Sequence, residues 1–468
     1  MSRSKLKGKD LRKINYKTDK VRSLAIDIAS KNFKHLSKAE KLETFKNVLL
    51  HPEDYLNDNI LSPIVEEFAP VVKKTEGTIY RLSEEVKPFS VYGKKFISQN
   101  TIQQMDMAMS LPIAQKGALM PDAHMGYGLP IGGVLATENE VIPYGIGLDI
   151  GCRMSLSIYD TPSNFIKRNH YAIKTALKEQ THFGIGKVQA SPEQHEVLDR
   201  PEFQETELLR QLHGKACRQI GTSGSGNHFV EVGEVSLENG NVFGFEQGNY
   251  LGVLAHSGSR GFGASVANYY MQVAMDRCWL PKKVQHLAWL DLNTEAGIEY
   301  WMSMQLAGDY AKACHDVIHR KIAKALDLKG GVKVENHHNF AWKEVQENGK
   351  ELIVHRKGAT PAKKGQLGII PATMIDPGYI VSGRGNSNSI MSAAHGAGRK
   401  MSRKKAKASI TGSEVKKTLK SLGVTLIGGG VDEAPMMYKD IEQVMLNQNE
   451  LVNIEGKFFP KVVRMDKN

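Results

Sequence analysis

The sequence predicts an α+β chain, and three observations carry that expectation. Several stretches repeat apolar residues at three- and four-residue steps, the period of a helix. Others are short apolar runs that stop at glycine-rich loops, as strands do. The glycine pattern nearest to a dinucleotide fingerprint, Gly126-x-Gly128-x-x-Ile131-Gly132-Gly133, is broken by Pro130 with no helix following, which argues against a Rossmann domain. With 468 residues the chain exceeds the roughly 250–300 at which one core stops growing. One large domain with an accessory segment, or two domains, would both fit.

Hydrophobic content of 41% and charged content of 24% are those of a globular protein. No apolar run approaches the roughly 20 residues of a membrane helix. The first residues, Met1 to Lys7, lack the apolar centre of a secretory signal, so a cytoplasmic (or nuclear) protein with no membrane partner is expected. The four cysteines lie far apart without a CxxC pair, which argues against a disulfide framework or zinc knuckle. A formal charge of +12 favours a polyanionic partner such as nucleic acid.

Residues 1–24 carry nine Lys/Arg against two Asp and read as a basic arm, solvated as like-charge blocks usually are. Ser23 to Phe68 is helical in pattern, and Ser37-Lys-Ala-Glu40 fits a capping box ahead of Leu42, Phe45, Val48 and Leu49. Residues 1–85 are therefore expected to form a basic, helical accessory region. A short helix over 102–111 and a strand over 117–124 follow. Strands at 134–137 and 154–159 flank the loop Gly145-Ile-Gly-Leu-Asp149-Ile-Gly-Cys152-Arg153. Helical periodicity returns at 165–180 and 202–220, and is clearest over 294–326, where Ile298, Met302, Leu306, Tyr310, Ala313, Val317 and Ile322 form an apolar stripe. Short strands are expected over 332–340, 355–360 and 366–371, then a polar loop at 382–389 and a basic helix over 401–407.

Chemistry gathers where strands meet loops. Asp149 and Cys152 pair a hard and a soft ligand, which suits a transition metal, although on this stretch alone a turn aspartate beside a buried thiol is the favoured reading. His228 stands between the turn Gly221-Thr-Ser-Gly-Ser-Gly-Asn and a strand. His256 ends the next strand, before a small-residue loop in which Arg260 would offer a planar phosphate clamp. His337 and His338 end another, and either could be a ligand. His315 and His319 lie four apart on the long helix without a zincin glutamate, and read as surface or packing histidines. His395, beside Gly396 and Gly398 and next to an expected helix start, is placed to meet a phosphate.

The ordered blocks DIGC, GNHFVE, HSGSRGFG, HHN, RKGAT, HGAGRKMSR and Asp432-Glu-Ala-Pro-Met-Met-Tyr-Lys-Asp440 resemble the RtcB family of RNA ligases over roughly residues 90–465. The resemblance implies an RtcB-type α+β fold, a sheet-rich core ringed by helices, in a catalytic domain at 86–468. It implies that Asp149, Cys152, His228, His256 and His338 hold two manganese ions, with Cys152 shared. Asp149 and His228 would serve one ion, His256 and His338 the other. His395 would attack GTP to give a histidine–GMP intermediate. GMP would then pass to an RNA 3′-phosphate, itself formed from a 2′,3′-cyclic phosphate where needed, and a 5′-hydroxyl end would displace it. This is the chemistry of RNA repair or tRNA splicing.

Asn227, Glu231, Thr373, Gly396, Ala397, Gly398 and Lys467 would contact the nucleotide, with Glu231 on the guanine edge, and Arg260 a phosphate of GTP or RNA. RNA ends, tRNA halves among them, are the implied partner, with an archease-type activator also known for such ligases. Two departures stand out. Ile370-Pro-Ala-Thr-Met-Ile-Asp-Pro-Gly378 keeps one hydroxyl, at Thr373, where many members carry two serines, and the chain runs one residue past its terminal lysine match. The altered loop motivates an alternative, a relative that caps 3′-phosphate ends with GMP but joins strands poorly. A non-catalytic RNA-binding module with a structural metal is the third reading.

Overall fold

In the computed structural model, the described residues are 6–16, 18–50, 55, 58, 60–68, 77–191, 193–401 and 403–466. Lys467 lies outside them. The chain divides into two compact units, residues 1–77 and 78–468.

In the first unit, helices span Gly8–Arg12, Asp19–Lys31, Lys38–Leu50 and Ser62–Phe68. The expected capping box forms: Glu40 N–H donates to Ser37 Oγ at 3.3 Å, and Ser37 N–H to Glu40 Oε2 at 2.6 Å. The solvated tail expected at the start is corrected over its described residues. Leu11, Tyr16, Val21 and Ala25 are buried with Phe45 and Ile64, and the Tyr16 hydroxyl donates to the Phe45 carbonyl at 2.8 Å. Apolar residues placed between the lysines supply a small core, and one of the cations, Arg22, is buried with it and donates to the Tyr16 carbonyl at 2.6 Å.

The second unit is built on an eight-stranded sheet. Its order is Val332–His337, Arg153–Pro162, Gly248–Ser257, Phe229–Leu237, Val452–Met465, Gly378–Gly383 and Leu367–Ile370, with Thr425–Ile427 parallel to Val452–Met465. The other pairings are antiparallel. Accumulated twist curls so wide a sheet, and here its two ends are tied together. The Asn336 amide accepts from Ile369 N–H at 2.8 Å and donates to the Ile369 carbonyl at 3.1 Å. A second sheet, Asn339–Val345, Glu351–Lys357, Ile131–Thr137, Lys116–His124 and Ser90–Val91, continues directly from the first through His338.

The helix Glu295–Ala325 starts on a Thr294 side-chain cap and runs across the base of the site. Leu306, Tyr310, Ala313, Val317 and Ile322 are buried as the stripe requires, while Ile298, in the first turn, is 58% exposed. The helix can approach because both contact positions are glycines. A Cβ on Gly151 would lie 2.8 Å from Gly308 Cα. Among the described residues no helix is long and apolar enough to cross a membrane.

Asn336→Ala should leave the Ile369 N–H and carbonyl unpaired in a buried setting, together with Thr360 Oγ1, which the amide also reaches at 2.8 Å. A loss of about 2–4 kcal/mol is expected in denaturant unfolding of the variant against wild type. An unchanged midpoint would mean that the tie does not hold the sheet ends.

Candidate active site

The first four strands of the large sheet alternate in direction, so the starts of Arg153–Pro162 and Phe229–Leu237 share an edge with the ends of Val332–His337 and Gly248–Ser257. Register pairs Arg153 with both His337 and Ser257, and His256 with both Met154 and Phe229. Cys152, His228, His256 and His338 therefore converge, although loops and helices separate them in the chain. The His338 N–H donates to the Cys152 carbonyl at 3.0 Å, and Cys152 N–H to the Asp149 carbonyl at 3.1 Å. Gly147 and Gly151, at φ 100° and 68°, allow the turn that presents Asp149 and Cys152 together.

The donor atoms form a connected chain. His228 Nε2 is 2.8 Å from Asp149 Oδ2 and 3.4 Å from Cys152 Sγ. Sγ is 3.1 Å from His256 Nε2, which is 3.3 Å from His338 Nε2. Two ligands held about 2.0–2.3 Å from one ion at right or tetrahedral angles stand about 3–3.7 Å apart, so the set fits divalent cations, with the thiol central. Cys152, His228 and His256 alone already form a buried group with the geometry to hold a metal ion.

The tautomers suit that role. The backbone carbonyl of Asn227 accepts from His256 Nδ1 at 3.0 Å, which leaves Nε2 as a lone-pair donor. Burial, with the nearby His228, holds His256 down at about 3 and, with His395 and His256 nearby, holds His338 well below its ordinary range, so both imidazoles are neutral. Burial opposes ionisation of Asp149, but adjacent His228 outweighs it and brings the carboxyl to about 2. Burial, and then the Asp149 charge, pushes the Cys152 thiol well up. A cation that joins this set must displace the thiol proton.

His395 follows the strand Ser392–Ala394, which pairs with Ala359–Pro361. The helix expected directly beyond it, over 401–407, spans Arg403–Ser409. The intervening glycines serve close approach: a Cβ on Gly398 would lie 2.1 Å from the Asp122 carbonyl oxygen. Fully buried Asp122 accepts from His395 Nδ1 at 2.7 Å and from its backbone N–H at 3.2 Å, both on Oδ2. Nε2 is then the nitrogen left over, and the His395 and His338 ring centroids are 4.9 Å apart. Gly358 links the two, since its N–H donates to the His338 carbonyl at 2.7 Å and a Cβ there would crowd His395.

Both histidines open onto a cleft of about 1250 Å³. Its walls include Asn227, Glu231, Thr373, Gly396, Ala397 and Gly398, so most of the expected nucleotide contacts come together. Burial raises the Glu231 carboxyl to about 8. Thr373 is on the wall, but its hydroxyl donates to Asp376 Oδ2 at 2.5 Å and accepts from the N–H groups of Ile375 and Asp376. Its bonding capacity is absorbed by its own turn.

Arg260 is turned away from the cleft. Its Nε donates to Thr222 Oγ1 at 3.0 Å and its Nη2 to the Gly184 carbonyl at 2.8 Å, so it braces the Gly221–Gly226 turn. His315 and His319 are buried and not on the surface: His315 Nε2 donates to the Ser257 carbonyl at 3.2 Å, and His319 Nδ1 is hydrogen-bonded to Ser157 Oγ at 2.8 Å. His337 packs on Phe340 and Trp342, which separates it from His338 in role.

Asp122 escaped sequence reasoning, although the segment that contains it was visible as a strand. The need for a group to fix the tautomer of a histidine nucleophile is the signal that would have singled it out. Glu433 escaped too. Buried, it pairs with Arg399 at 3.2 Å and Arg403 at 2.9 Å, and Tyr438 donates to it.

A family model described as "tRNA-splicing ligase RtcB" matches residues 103–207 and 191–465. The chain is 30% identical over 406 residues to the RNA-splicing ligase RtcB of Escherichia coli K12, covering 80% of this chain and 96% of that one. It is 30% identical over 472 residues to the tRNA-splicing ligase RtcB of Nanoarchaeum equitans, covering 84% and 98%. An Entamoeba dispar protein called RNA-splicing ligase RtcB homolog 1 is 29% identical, covering 75% and 79%.

Cys152→Ala should abolish tight divalent-cation binding, read by calorimetric titration of metal-free protein, whereas His337→Ala should change it only a few-fold. Equal effects would contradict the donor set. Glu231 holds a proton in the folded chain up to about 8 that the unfolded chain releases near 4.5. Its burial therefore costs stability progressively as pH climbs from about 4.5 to about 8. Glu231→Gln, which cannot ionise, should flatten the fall in melting temperature across that window.

Proposed function

The chain belongs to the RtcB family of RNA ligases, and from that premise we propose that it seals RNA 3′-phosphate or 2′,3′-cyclic phosphate ends to 5′-hydroxyl ends with GTP. The observation that carries this reading is the Asp122–His395 pair beside the five-donor cluster. A carboxylate on Nδ1 holds the proton there and leaves Nε2 with its lone pair, the form a phosphorus nucleophile needs.

In this scheme Nε2 attacks the α-phosphorus of GTP. An N–P bond forms, the bond from the α-phosphorus to the bridging oxygen breaks, and pyrophosphate leaves. As cationic charge develops on the imidazole, Asp122 stabilises it. An RNA 3′-phosphate oxygen then attacks the same phosphorus and frees His395. The 5′-hydroxyl of the second end finally attacks the activated 3′-phosphate, with GMP as leaving group. A cyclic phosphate enters this sequence after water has opened it. Manganese accepts carboxylate and imidazole, and at Asp149, Cys152, His228, His256 and His338 would neutralise phosphate oxygens as a Lewis acid.

Glu231, once ionised, would accept from the guanine N–H groups, and desolvation of the cleft would strengthen those bonds. Asn227 and the backbone of Gly396 to Gly398 border the same space and would follow the nucleotide phosphates. A second reading, GMP capping of 3′-phosphate ends with little joining, draws on one observation: the Thr373 hydroxyl is occupied by Asp376, so one expected nucleotide contact is weak.

Wild type incubated with manganese and α-labelled GTP should acquire acid-labile label, and His395→Ala none. Asp122→Asn, which turns an amide N–H toward Nδ1 and favours the wrong tautomer, should slow labelling by roughly 10²–10⁴-fold. Absence of label on wild type excludes the scheme. Label that accumulates as capped RNA without joined product selects the capping reading.

A further inference from the structure

The loop Met125-Gly126-Tyr127-Gly128 at the mouth of the cleft combines a rigid backbone with unusually exposed side chains. Tyr127 is 74% exposed and Met125 53%, and both line the cleft with Phe96, itself 49% exposed. A loop that merely connects two strands does not need to be held, but this one is held at four points. The Gln104 side chain, buried on the helix Gln99–Met109, donates to the Gly126 and Gly128 carbonyls, both at 2.7 Å, and accepts from Gly126 N–H at 3.2 Å. Buried Lys357 donates through Nζ to the Tyr127 carbonyl. Gly128 supplies the positive φ of 68° that the turn needs.

Large apolar side chains exposed together in one cleft mark an interaction site more often than singly scattered ones do, and ordering the backbone in advance removes a cost of binding. The cleft also has room to spare. At about 1250 Å³ it exceeds the roughly 300–1,000 Å³ of a site for one small molecule. Glu231 and Asn227, the groups suited to a guanine nucleotide, line the same cleft, and Lys94 and Lys95, next to Phe96 in the chain, are exposed. An exposed aromatic face flanked by cations is the arrangement that takes a nucleobase with its phosphate.

We propose that Tyr127, supported by Met125 and Phe96, is a preformed stacking platform for a nucleobase of the RNA end being joined. The proposal rests on the ligase reading and adds to it the place where RNA, as distinct from GTP, is gripped. Stacking takes any base, so the platform grips strand ends without selecting sequence, and it requires the terminal nucleotides to be unpaired.

The test is fluorescence anisotropy of an internally labelled short single-stranded RNA that carries both a 5′-hydroxyl and a 3′-phosphate. Wild type, Tyr127→Ala and Tyr127→Phe would be compared at one fixed salt concentration. Tyr127→Ala should bind about 5- to 150-fold more weakly and Tyr127→Phe within about twofold of wild type. A probe with abasic sites at its end nucleotides should bind wild type and Tyr127→Ala equally. Melting temperatures of both variants establish that the fold is intact. Equal affinity of Tyr127→Ala and wild type for the intact probe overturns the platform, as does an alanine effect that persists on the abasic probe. Failure of wild type to bind RNA overturns it as well, and the GTP-labelling assay then tells separately whether the ligase scheme has failed with it.

Discussion

The hydrogen bond from His338 N–H to the Cys152 carbonyl, 3.0 Å long, sits where two sheets and both halves of the candidate chemistry meet. On one side of it the antiparallel register of four strands brings Cys152, His228 and His256 to one edge. On the other, His338 leads into the second sheet, and its carbonyl accepts the Gly358 N–H that places the His395 loop. Donor atoms only 2.8–3.4 Å apart tolerate little displacement. A one-residue slip in any of these strands would turn a ligand to the opposite face.

The electrostatics of the cluster are compatible with a divalent cation. The cluster buries a thiol that burial and Asp149 keep protonated, and imidazoles that burial keeps neutral. These are the states that a divalent cation reverses for sulfur and exploits for nitrogen. Asp122 works by a different rule. It is fully buried, and its Oδ2 accepts from Nδ1 of His395, which leaves Nε2 for the proposed attack. Orientation of the ring and choice of its tautomer come from one contact.

The convergence of the candidate residues was legible in the sequence because each sits in a loop or at a strand end beside small residues, a pattern that periodicity and glycine content expose together. The long helix was readable to within a residue of its ends, since Thr294 caps it and its stripe is continuous. What was not legible depends on distant partners. Asp122 looks like any strand aspartate until His395, far along the chain, is placed on it. Arg260 looked like a phosphate clamp because the sequence cannot say that Thr222 and Gly184 already occupy its guanidinium. The basic first residues looked like a tail because charge masked a core of Leu11, Tyr16 and Val21 that closes only against Phe45 and Ile64. Choosing His338 over His337 needed the family resemblance, and the stacking of His337 on Phe340 and Trp342 gives the physical reason.

The central claim is that Cys152 is shared between two cations, one also bound by Asp149 and His228, the other by His256 and His338. Anomalous diffraction at the manganese edge from crystals soaked in manganese measures it directly. Two peaks, each within bonding distance of the Cys152 sulfur and of its own pair of partners, are predicted. A single peak, or ions that leave the sulfur untouched, would contradict it.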